Sequence, residues 1–470
     1  MMKKYYKYII IALMSFGFVS CEFDDTNVDP NNPNPGLITN DLILPAAQAQ
    51  AVFNIGALGG RMPGIVMQHF QGFDAQQVAY TAYVIEESDL NNLWQTGLYA
   101  AGMRDADIII NNGIEAENNF YIGVGKVLLA HNLGLATSFW GEIPLTEAFQ
   151  GLENLTPAYD SQESIYAAIQ TNLDEAITAL GNTGDALTSG DIIFGGDAPS
   201  WIRVANAMKA RYHMHLSKRN NNAAQNALNA LAAGAMNSND EIPYVVFDAA
   251  ETGANPYAQF GTQRPKTMIV DARFEAIMTD DPRRDLYMVE DGDEWLFFED
   301  TDPLETDLFW STNTSPLPLI SFTEQLFLEA EAFARLGQTD NAGDTLLAAV
   351  VANMEQLGVE EDDYSAYLNI VSTAFGAASG TDAQVEVIIN EKYKALYCQG
   401  ENEIWVDYRR TGYPALTPTA GGANGVNPSG IVPRRFLYPI SERQFNDVSR
   451  QAAIDRQGGH LLDDDIWAFQ

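Results

Sequence analysis

The sequence predicts a mainly α-helical protein in which helix pairs alternate with long loops. The stretch 161–180 repeats apolar residues at spacings of three and four, which places Ile165 and Ile169 on one face of a helix. The segment 327–358 contains two helical patterns separated by a glycine, which is typical of a degenerate tetratricopeptide repeat. Strand patterns are few and short, and 244–247 is one example.

The helical patterns follow one another along most of the chain. In the clearest helix, Asp160 is placed to cap the start and Gly181 to end it. The loops between such helices are where a binding site is expected, because the helix pairs serve as a rigid scaffold. The other predicted helices lie near 41–58, 88–112, 120–139, 201–217, 222–234, 321–336, 340–356 and 383–398.

The N-terminal segment 1–20 has the composition of a signal peptide. Three lysines precede an apolar run that is too short to span a bilayer, which takes about 20 residues. Ser20 before Cys21 fits a lipoprotein cleavage site, so we expect lipid on Cys21. The alternative is an ordinary secretory signal with an incidental cysteine. The following residues, up to 37, are rich in Asp, Asn and Pro and predict an extended tether.

The composition argues against several classes of function. The chain has 26 Lys and Arg against 63 Asp and Glu, which is a formal net charge of −37. Nucleic-acid binding needs concentrated basic residues, and the basic clusters here are small, such as Arg434-Arg435. The same charge disfavours polyanionic substrates such as alginate or sulfated glycans, unless a local basic pocket overrides it.

The usual sequence signals of catalysis are absent. The chain contains no G-x-S-x-G, H-E-x-x-H or G-x-x-x-x-G-K-[ST] motif. His213 and His215 are two residues apart on a predicted helix and point to different sides, which favours packed or capping side chains over a metal site. With 63 acidic residues, no single carboxylate pair is evidence for a glycosidase. We therefore predict no catalytic residue.

The sequence also predicts no cofactor. The acidic loops 291–294 and 463–465 offer oxygen ligands for calcium but lack the EF-hand pattern. Solvated loops are the favoured interpretation, and a structural calcium ion stays open. Cys398 has no nearby histidine in the sequence, so a buried structural thiol is favoured over a nucleophile. With Cys21 lipidated, no internal disulfide is expected.

Eight phrases, taken in order, resemble the SusD/RagB lipoproteins of Bacteroidota. The last, NPSGIVPRRFLYPISERQFN, carries the PRR-x-LYP-x-x-E pattern of the SusD-like group. Each phrase alone is weak, but together they cover nearly the whole chain after the signal peptide. The other seven are NVDPNNPNP, SFWGEIPLTEAF, SQESIYAAIQTNLDEAI, DIIFGGDAPSWIRVANAMKARYHMHLS, DPRRDLY, SPLPLISFTEQLFLEAEAFAR and EKYKALYCQGENEIWVDYRRTGYP.

The resemblance implies a fold, a location and an activity. It implies one helical domain in which tetratricopeptide-like helix pairs support variable loops, and it divides the chain into signal peptide 1–20, lipidated tether 21–37 and domain 38–470. It implies a lipoprotein of the outer membrane that faces the exterior, captures oligosaccharides and delivers them to a TonB-dependent transporter without enzymatic activity. The acids directly after Cys21 resemble the surface-export tag of such lipoproteins. Peptide capture, a secreted glycosidase and a purely structural adaptor are the alternatives.

The ligand-binding residues are predicted from physical chemistry, because the family's contacts vary between members. Aromatic rings stack on sugar C–H faces, while amides, carboxylates and Arg bind hydroxyls. Segment 289–313 places aromatic residues among acids and turn residues. Anchoring of the loop is an equal alternative to a ligand role, and contact with the transporter is a third. The candidate residues of this segment are Trp295, Phe298, Phe309 and Trp310.

Segment 68–94 is the second candidate wall of the site. Two of its tyrosines are three residues apart, so a packed helical stripe is the stronger alternative. Its candidate residues are Gln76, Tyr80, Tyr83 and Trp94. We expect scaffold roles for Trp140, Trp201 and Trp405, since they lie in phrases shared with the family.

Overall fold

A computed structural model describes residues 39–298 and 308–470 of the chain. The signal peptide, Cys21 and the tether lie outside the described residues. Within them, the structure is mainly helical, as predicted. The α-helices are α1 (Asn40–Gly56), α2 (Leu58–Val66), α3 (Gln76–Thr81), α4 (Met103–Glu115), α5 (Asn119–Trp140), α6 (Gln162–Leu180), α7 (Ala198–His215), α8 (Ala223–Ala232), α9 (Pro256–Gln263), α10 (Ala272–Ile277), α11 (Arg284–Tyr287), α12 (Phe322–Arg335), α13 (Thr339–Gln356), α14 (Glu361–Ala377), α15 (Thr381–Ala395), α16 (Glu401–Thr411), α17 (Ile440–Phe445) and α18 (Asp447–Gln457).

Shorter elements connect these helices. A π-helix, Leu93–Gly102, leads directly into α4. The strands pair two by two and antiparallel: β1 with β3, β2 with β6, and β4 with β5. The strands are β1 (Phe70–Gly72), β2 (Tyr244–Val245), β3 (Met268–Val270), β4 (Val289–Asp291), β5 (Glu294–Leu296) and β6 (Leu317–Pro318).

The scaffold consists of helices that pack in sequence order. Helix α5 packs between α4 and α6, α6 packs on α7, and α12 packs on α13, as the repeat-like pattern predicted. A second cluster of buried apolar side chains lies among α12, α13, α14 and α15, and it includes Phe327, Leu346 and Ile388. Burial of one apolar face per helix is the main stabilising contribution in such stacked pairs.

The predicted cap of helix α6 is wrong. Ser161, not Asp160, caps the helix, because its hydroxyl accepts a hydrogen bond from the Ser164 amide at 3.2 Å. The Asp160 carboxylate instead accepts hydrogen bonds from the amides of Leu145 and Thr146, at 2.8 and 2.9 Å. Helix α6 ends before Gly181, as predicted.

Other predicted boundaries also differ in detail. The stretch 88–112 was predicted as one helix, but it begins with turns and continues as the π-helix before α4. Only Tyr244–Val245 of the predicted strand pairs with another strand. Helices α14 and α16 were not predicted. In α16 the charged residues obscure the apolar pattern, because most of them are buried in ion pairs.

The stretch Asn40–Val66 is long and apolar enough to cross a membrane by length and composition alone. In the structure it forms two helices that meet at Ala57 and pack in the core. Two glycines make this packing possible. A Cβ on Gly56 would lie 2.6 Å from the Pro256 side chain, and one on Gly60 would collide with the Tyr257 hydroxyl. Helix α9 therefore sits directly on the junction of α1 and α2.

The predicted scaffold tryptophans are buried in this core. Each is fully buried, and each indole N–H donates a hydrogen bond, so none has a free ring face. The prediction of scaffold roles is confirmed. The acceptors are Leu437 O for Trp140 at 2.9 Å, an Asp191 carboxylate oxygen for Trp201 at 2.9 Å, and Pro433 O for Trp405 at 2.8 Å.

Candidate functional site

A cavity of about 540 Å³ opens between α1, α2, α3, the π-helix and α9, and we call it the amide cavity. Its lining combines amide side chains, aromatic rings and two guanidinium groups. This is the mixture of groups that binds sugar hydroxyls and sugar C–H faces. The lining residues are Gln50, Phe53, Asn54, Ala57, Leu58, Arg61, Met62, Gln76, Gln77, Tyr80, Asn92, Leu93, Thr96, Gly97, Pro256, Gln259, Phe260, Gln263 and Arg264.

A short strand ladder brings the distant parts of the amide cavity together. Strand β1 pairs with β3 in the register Phe70 with Val270. Beyond the ladder, the amides of Phe73 and Asp74 donate to the carbonyl oxygen of Thr267, at 2.8 and 3.1 Å. These bonds hold the start of α3 beside the residues that follow α9. Segments almost 200 residues apart therefore face one cavity.

Two aromatic side chains give the amide cavity its apolar surfaces. Phe53 on α1 is 40% exposed, which leaves a ring face available. Phe260 on α9 is buried, and the guanidinium carbon of Arg61 lies 4.1 Å from its ring centroid. This cation–π contact orients Arg61 along the cavity wall. Phe53 is therefore the ring positioned for stacking on a ligand.

The polar groups of the amide cavity come from several helices. The Gln50 Nε2 donates to Asn54 Oδ1 at 2.8 Å, and Asn54 Nδ2 donates to the Gly97 carbonyl oxygen at 2.9 Å. These bonds hold the amides of α1 against the π-helix. Gln76 on α3 is exposed at the opposite side. The arrangement offers both donors and acceptors to a ligand with hydroxyl groups.

Arg61 and Arg264 lie in the same cavity and influence each other. Burial lowers the pKa of Arg61 to about 10, and the positive charge of Arg264 acts in the same direction. The neighbouring Tyr257 and Tyr80 oppose this shift. A guanidinium group with a pKa of about 10 remains protonated at neutral pH, so Arg61 carries its charge there. Arg61 is half-buried and Arg264 is exposed.

The structure separates the four candidates of segment 68–94. Gln76 and Tyr80 line the amide cavity, and the Tyr80 hydroxyl donates to Asp89 at 3.1 Å. Tyr83 is fully buried, and its hydroxyl accepts from the Thr419 amide at 3.3 Å. Trp94 is also buried and belongs to a different cavity.

Trp94 borders a small cavity of about 250 Å³ near α17. Its indole N–H donates to Glu442 at 3.2 Å, and its ring meets Trp140 edge-on at 5.0 Å between centroids. Phe445, at the mouth of the same cavity, is 72% exposed. Trp94 therefore belongs to the packed interior below this second opening.

The candidates of segment 289–313 face inward or pack on neighbours. Residues 299–307 of this segment lie outside the described residues. Trp310 is 1% exposed, and Phe298 packs against Gly261 behind α9. Trp295 is half-buried under the guanidinium of Arg284, at 4.1 Å from the ring centroid.

Phe309 is half-buried and meets the Trp310 ring edge-on, at 4.7 Å between centroids. A buried ring has no free face for a sugar, so this conformation does not present Phe298, Trp310 or Tyr83 as stacking surfaces. The packing contacts of these rings are those expected of the alternative role, in which the rings anchor the loop. A ligand contact by Trp295 or Phe309 stays a prediction.

The remaining candidates of the sequence have internal partners. Cys398 is buried, as predicted, and burial raises the pKa of its thiol. His215 packs between the Tyr166 hydroxyl at 3.0 Å and Glu403 at 2.8 Å, also as predicted.

In the acidic loops, Asp291 pairs with Lys266, and Asp463 accepts hydrogen bonds from Ser429. In the described ranges, no group of three or more His, Cys, Asp or Glu residues is arranged to hold a metal ion.

Two other cavities are larger than the amide cavity, about 810 and 760 Å³. In the first, the guanidinium of Arg203 pairs with Glu241 at 3.2 Å. In the second, Arg273 pairs with Asp271, and the Lys394 ammonium pairs with Glu391 at 2.7 Å. Their cations are thus engaged within the protein. Of the three, the amide cavity is the one in which no described carboxylate pairs with the cations of the lining.

Of the lining residues given above, only Gln76 and Tyr80 were predicted from the sequence. The charged and aromatic residues Arg61, Arg264, Phe53 and Phe260 were not. One signal was available for Arg61, since it is the only Lys or Arg between Lys7 and Arg104. A lone cation in a stretch of almost 100 residues suggests a specific role. No comparable signal marks the other three, because their position depends on how α9 packs.

The paired helices and the loop-framed cavity define an α-helical repeat scaffold that carries a binding site. The chain belongs to the SusD-like family. Residues 36–439 match the model of this family, which is described as starch-binding and associating with the outer membrane. The prediction of the family and of its fold is therefore confirmed. Among curated proteins, none matches the sequence.

Solved structures share the fold over almost the whole chain. A SusD/RagB family protein from Bacteroides thetaiotaomicron is 23% identical, with a TM-score of 0.75, covering 92% of this chain and 99% of that one. A SusD homologue from Bacteroides uniformis is 21% identical, with a TM-score of 0.76 and coverages of 91% and 99%. A chitin-binding SusD homologue from Flavobacterium johnsoniae is 21% identical, with a TM-score of 0.74 and coverages of 91% and 98%.

Proposed function

We propose that this protein is a lipoprotein of the outer membrane that captures oligosaccharides at the cell surface and delivers them to a TonB-dependent transporter. The amide cavity is the capture site. The observation that carries the proposal is the combination of an exposed Phe53 ring, amide side chains and guanidinium groups around one opening of about 540 Å³. A family described as starch-binding and a chitin-binding structural neighbour support a carbohydrate as the ligand.

Capture without hydrolysis follows from the groups that line the cavity. The lining residues are amides, aromatic and aliphatic side chains and two guanidinium groups, and none of the described lining residues is an Asp or Glu. Glycoside hydrolysis uses a pair of carboxyl groups on either side of the scissile bond. The cavity therefore suits retention of an intact sugar chain.

Attachment to the membrane is assigned to the N-terminus. Cys21 after a signal-peptide pattern supplies the lipid, and the stretch up to residue 37 supplies a tether. A Cys21→Ala variant expressed with its signal peptide should be lost from the outer-membrane fraction. If the variant stays there as wild type does, the lipid anchor is excluded.

The capture site is tested by native gels cast with neutral and acidic polysaccharides. The chain from Glu22 onward retains all described residues and lacks the lipidated cysteine. Retardation by a glycan, weakened in Gln76→Ala and unchanged in a Gln451→Ala control on the exposed face of α18, supports capture in the amide cavity. If neither Gln76→Ala nor Phe53→Ala weakens the retardation, the glycan binds outside the amide cavity. Release of sugar by the pure protein would establish a glycosidase instead.

Delivery is tested by purification from the outer membrane. The affinity-tagged, lipidated protein, extracted in mild detergent, should carry a TonB-dependent barrel with it. The Cys21→Ala variant is the control for non-specific recovery of barrels. Recovery of the lipidated protein without any barrel contradicts delivery to a transporter. It does not contradict the proposed capture of oligosaccharides.

A further inference from the structure

Two positive charges of the amide cavity lack a negative partner in the described residues. Arg61 and Arg264 line the opening together, and no Asp or Glu among the described residues lines it with them. No ion pair joins either side chain to a carboxylate in the described ranges, where Arg61 instead lies over the Phe260 ring. Among the described residues, the charged group that acts on the pKa of Arg61 is Arg264, which lowers it.

This arrangement differs from that of the two larger cavities. The chain has 63 acidic residues for 26 basic ones, so a carboxylate near each Arg is the expected situation. The cations of the two larger cavities have such partners, as Arg203 has in Glu241 and Arg273 in Asp271. At the amide cavity no Asp or Glu of the described residues lies in the lining.

Placing two like charges in one partly enclosed cavity costs free energy. Each guanidinium loses part of its hydration, and each repels the other. Burial and Arg264 together lower the pKa of Arg61, which is the sign of an environment that opposes its charge. A bound anion offsets both costs. The planar fork of Arg fits the two oxygens of a carboxylate, or two oxygens of a sulfate.

We propose that the sugar chain bound in the amide cavity carries an anionic group, which Arg61 and Arg264 hold, while the amides and Phe53 bind its neutral part. This inference rests on the proposed function. The overall charge of −37 repels a densely charged polymer, so the ligand is an oligosaccharide with isolated acidic residues and not a polyanion. A uronic acid supplies such a group as a carboxylate, and a sulfated sugar supplies it as a sulfate ester.

The test compares acidic glycans with neutral forms of the same chain. Affinity gels are cast with glucuronoxylan, gum arabic or xanthan, and each is run beside its carboxyl-reduced derivative, which keeps the linkages and loses the charge. Starch and glycol chitin serve as neutral glycans, polygalacturonate as a dense polyanion and carrageenan as a sulfated one. The protein variants are Arg61→Gln, Arg264→Gln and, as a control, Arg443→Gln. Arg443 is exposed, pairs with Glu87 and lies outside the amide cavity.

The expected result is retardation by a sparsely acidic glycan and loss of retardation in its reduced form. Either cavity variant should weaken binding about tenfold or more, since a charge-assisted bidentate pair is lost. Arg443→Gln should bind as wild type does. Raising the salt concentration should weaken the wild type and leave the residual binding of the variants little changed.

The other outcomes are distinct. Preference for carrageenan or polygalacturonate over every sparsely acidic glycan overturns the ligand with isolated acidic groups, because both polymers are dense polyanions. Equal binding of acidic and reduced glycans, unchanged in Arg61→Gln and Arg264→Gln, overturns the acidic ligand while capture of a neutral sugar stands. Absence of binding to every glycan by the wild type overturns the proposed function itself. Melting temperatures of both variants within a few degrees of wild type exclude unfolding as the cause.

Discussion

The guanidinium of Arg211 on α7 and the carboxylate of Glu324 on α12 form a two-pronged ion pair inside the protein. The Arg211 Nε lies 2.7 Å from the Glu324 Oε1, and the Arg211 Nη2 lies 2.6 Å from the Glu324 Oε2. Both side chains are 3% exposed. Arg211 also donates to the Leu319 carbonyl oxygen. This pair joins two helices that are more than 100 residues apart in the chain, and it links the two ends of the scaffold.

Breaking this pair should destabilise the fold. Glu324→Gln leaves the buried Arg211 without full compensation, so the free energy of unfolding should fall by about 3–5 kcal/mol. Urea titration followed by circular dichroism measures the loss. The matched control is Glu175→Gln, which removes an exposed partner of Lys126 and should cost less than about 1 kcal/mol. Equal losses in the two variants contradict the prediction.

Acid should destabilise the protein through Glu331. Burial alone would raise the pKa of this carboxyl group, but Arg410 and Arg335 outweigh burial and lower the pKa to about 2, against 4.5 for the free side chain. The unfolded chain therefore binds a proton at a higher pH than the folded chain. Stability from this group is complete above pH 4.5 and is lost as the pH falls towards 2, by about 3 kcal/mol in total.

The measurement for Glu331 is the free energy of unfolding between pH 6 and pH 2. The wild type should lose stability more steeply than Glu331→Gln over the range from pH 4.5 to 2, although the variant starts less stable. If the free energies of unfolding of the two proteins fall equally with pH, groups other than Glu331 govern the loss of stability in acid.

Removing the exposed ring of the amide cavity should weaken ligand binding. Phe53→Ala deletes the one strongly exposed aromatic face there, and affinity for the captured glycan should fall about three- to tenfold. The control is Phe445→Ala, which removes an exposed ring at the separate small cavity. Affinity gels measure both. A loss in the control and none in Phe53→Ala would place the sugar at the small cavity.

Trp310 is expected to act through stability. Trp310→Ala removes a buried ring that packs on Phe309, and it should lower the free energy of unfolding by about 3–5 kcal/mol. Trp310→Phe should cost less, because the indole N–H has no hydrogen-bond partner among the described residues. Below its melting temperature, the Ala variant should still be retarded by glycan. Loss of binding in the folded variant would restore a ligand role for this residue.

Cys398 should be unreactive in the folded protein. Its side chain is buried, and burial raises the pKa of the thiol, so little thiolate is available. In the chain from Glu22 onward, a thiol reagent such as dithionitrobenzoate should label it only after denaturation. Rapid labelling of the native protein would show that the region around α16 opens readily.

Much of the scaffold was predictable from local patterns. The three- and four-residue spacing in 161–180 gave α6 nearly to its ends, because helix formation depends on neighbours along the chain. The cap was wrong because Asp160 takes part in contacts with the distant residues Leu145 and Thr146. Helix α16 was missed because its charged residues find partners inside the fold.

The candidate site was only partly predictable. Gln76 and Tyr80, which were predicted from the sequence, line the amide cavity. Phe260 and Arg264 were not predicted, since they reach the cavity through the packing of α9 on Gly56 and Gly60. Segment 289–313 was predicted as part of the site because of its aromatic content alone. Whether a ring such as that of Trp310 is exposed depends on what packs over it, and composition does not carry that information.

The sequence by itself determined the helical class and the family, because each is written in residues close together in the chain. It also predicts a lipidated N-terminus. Only the tertiary structure decided which side chains share the amide cavity. Arg61 and Arg264 are about 200 residues apart, and the β1–β3 ladder with the close approach at Gly60 brings them together. Long-range packing selects the exposed rings and the unpaired charges, and those are the groups that a ligand meets.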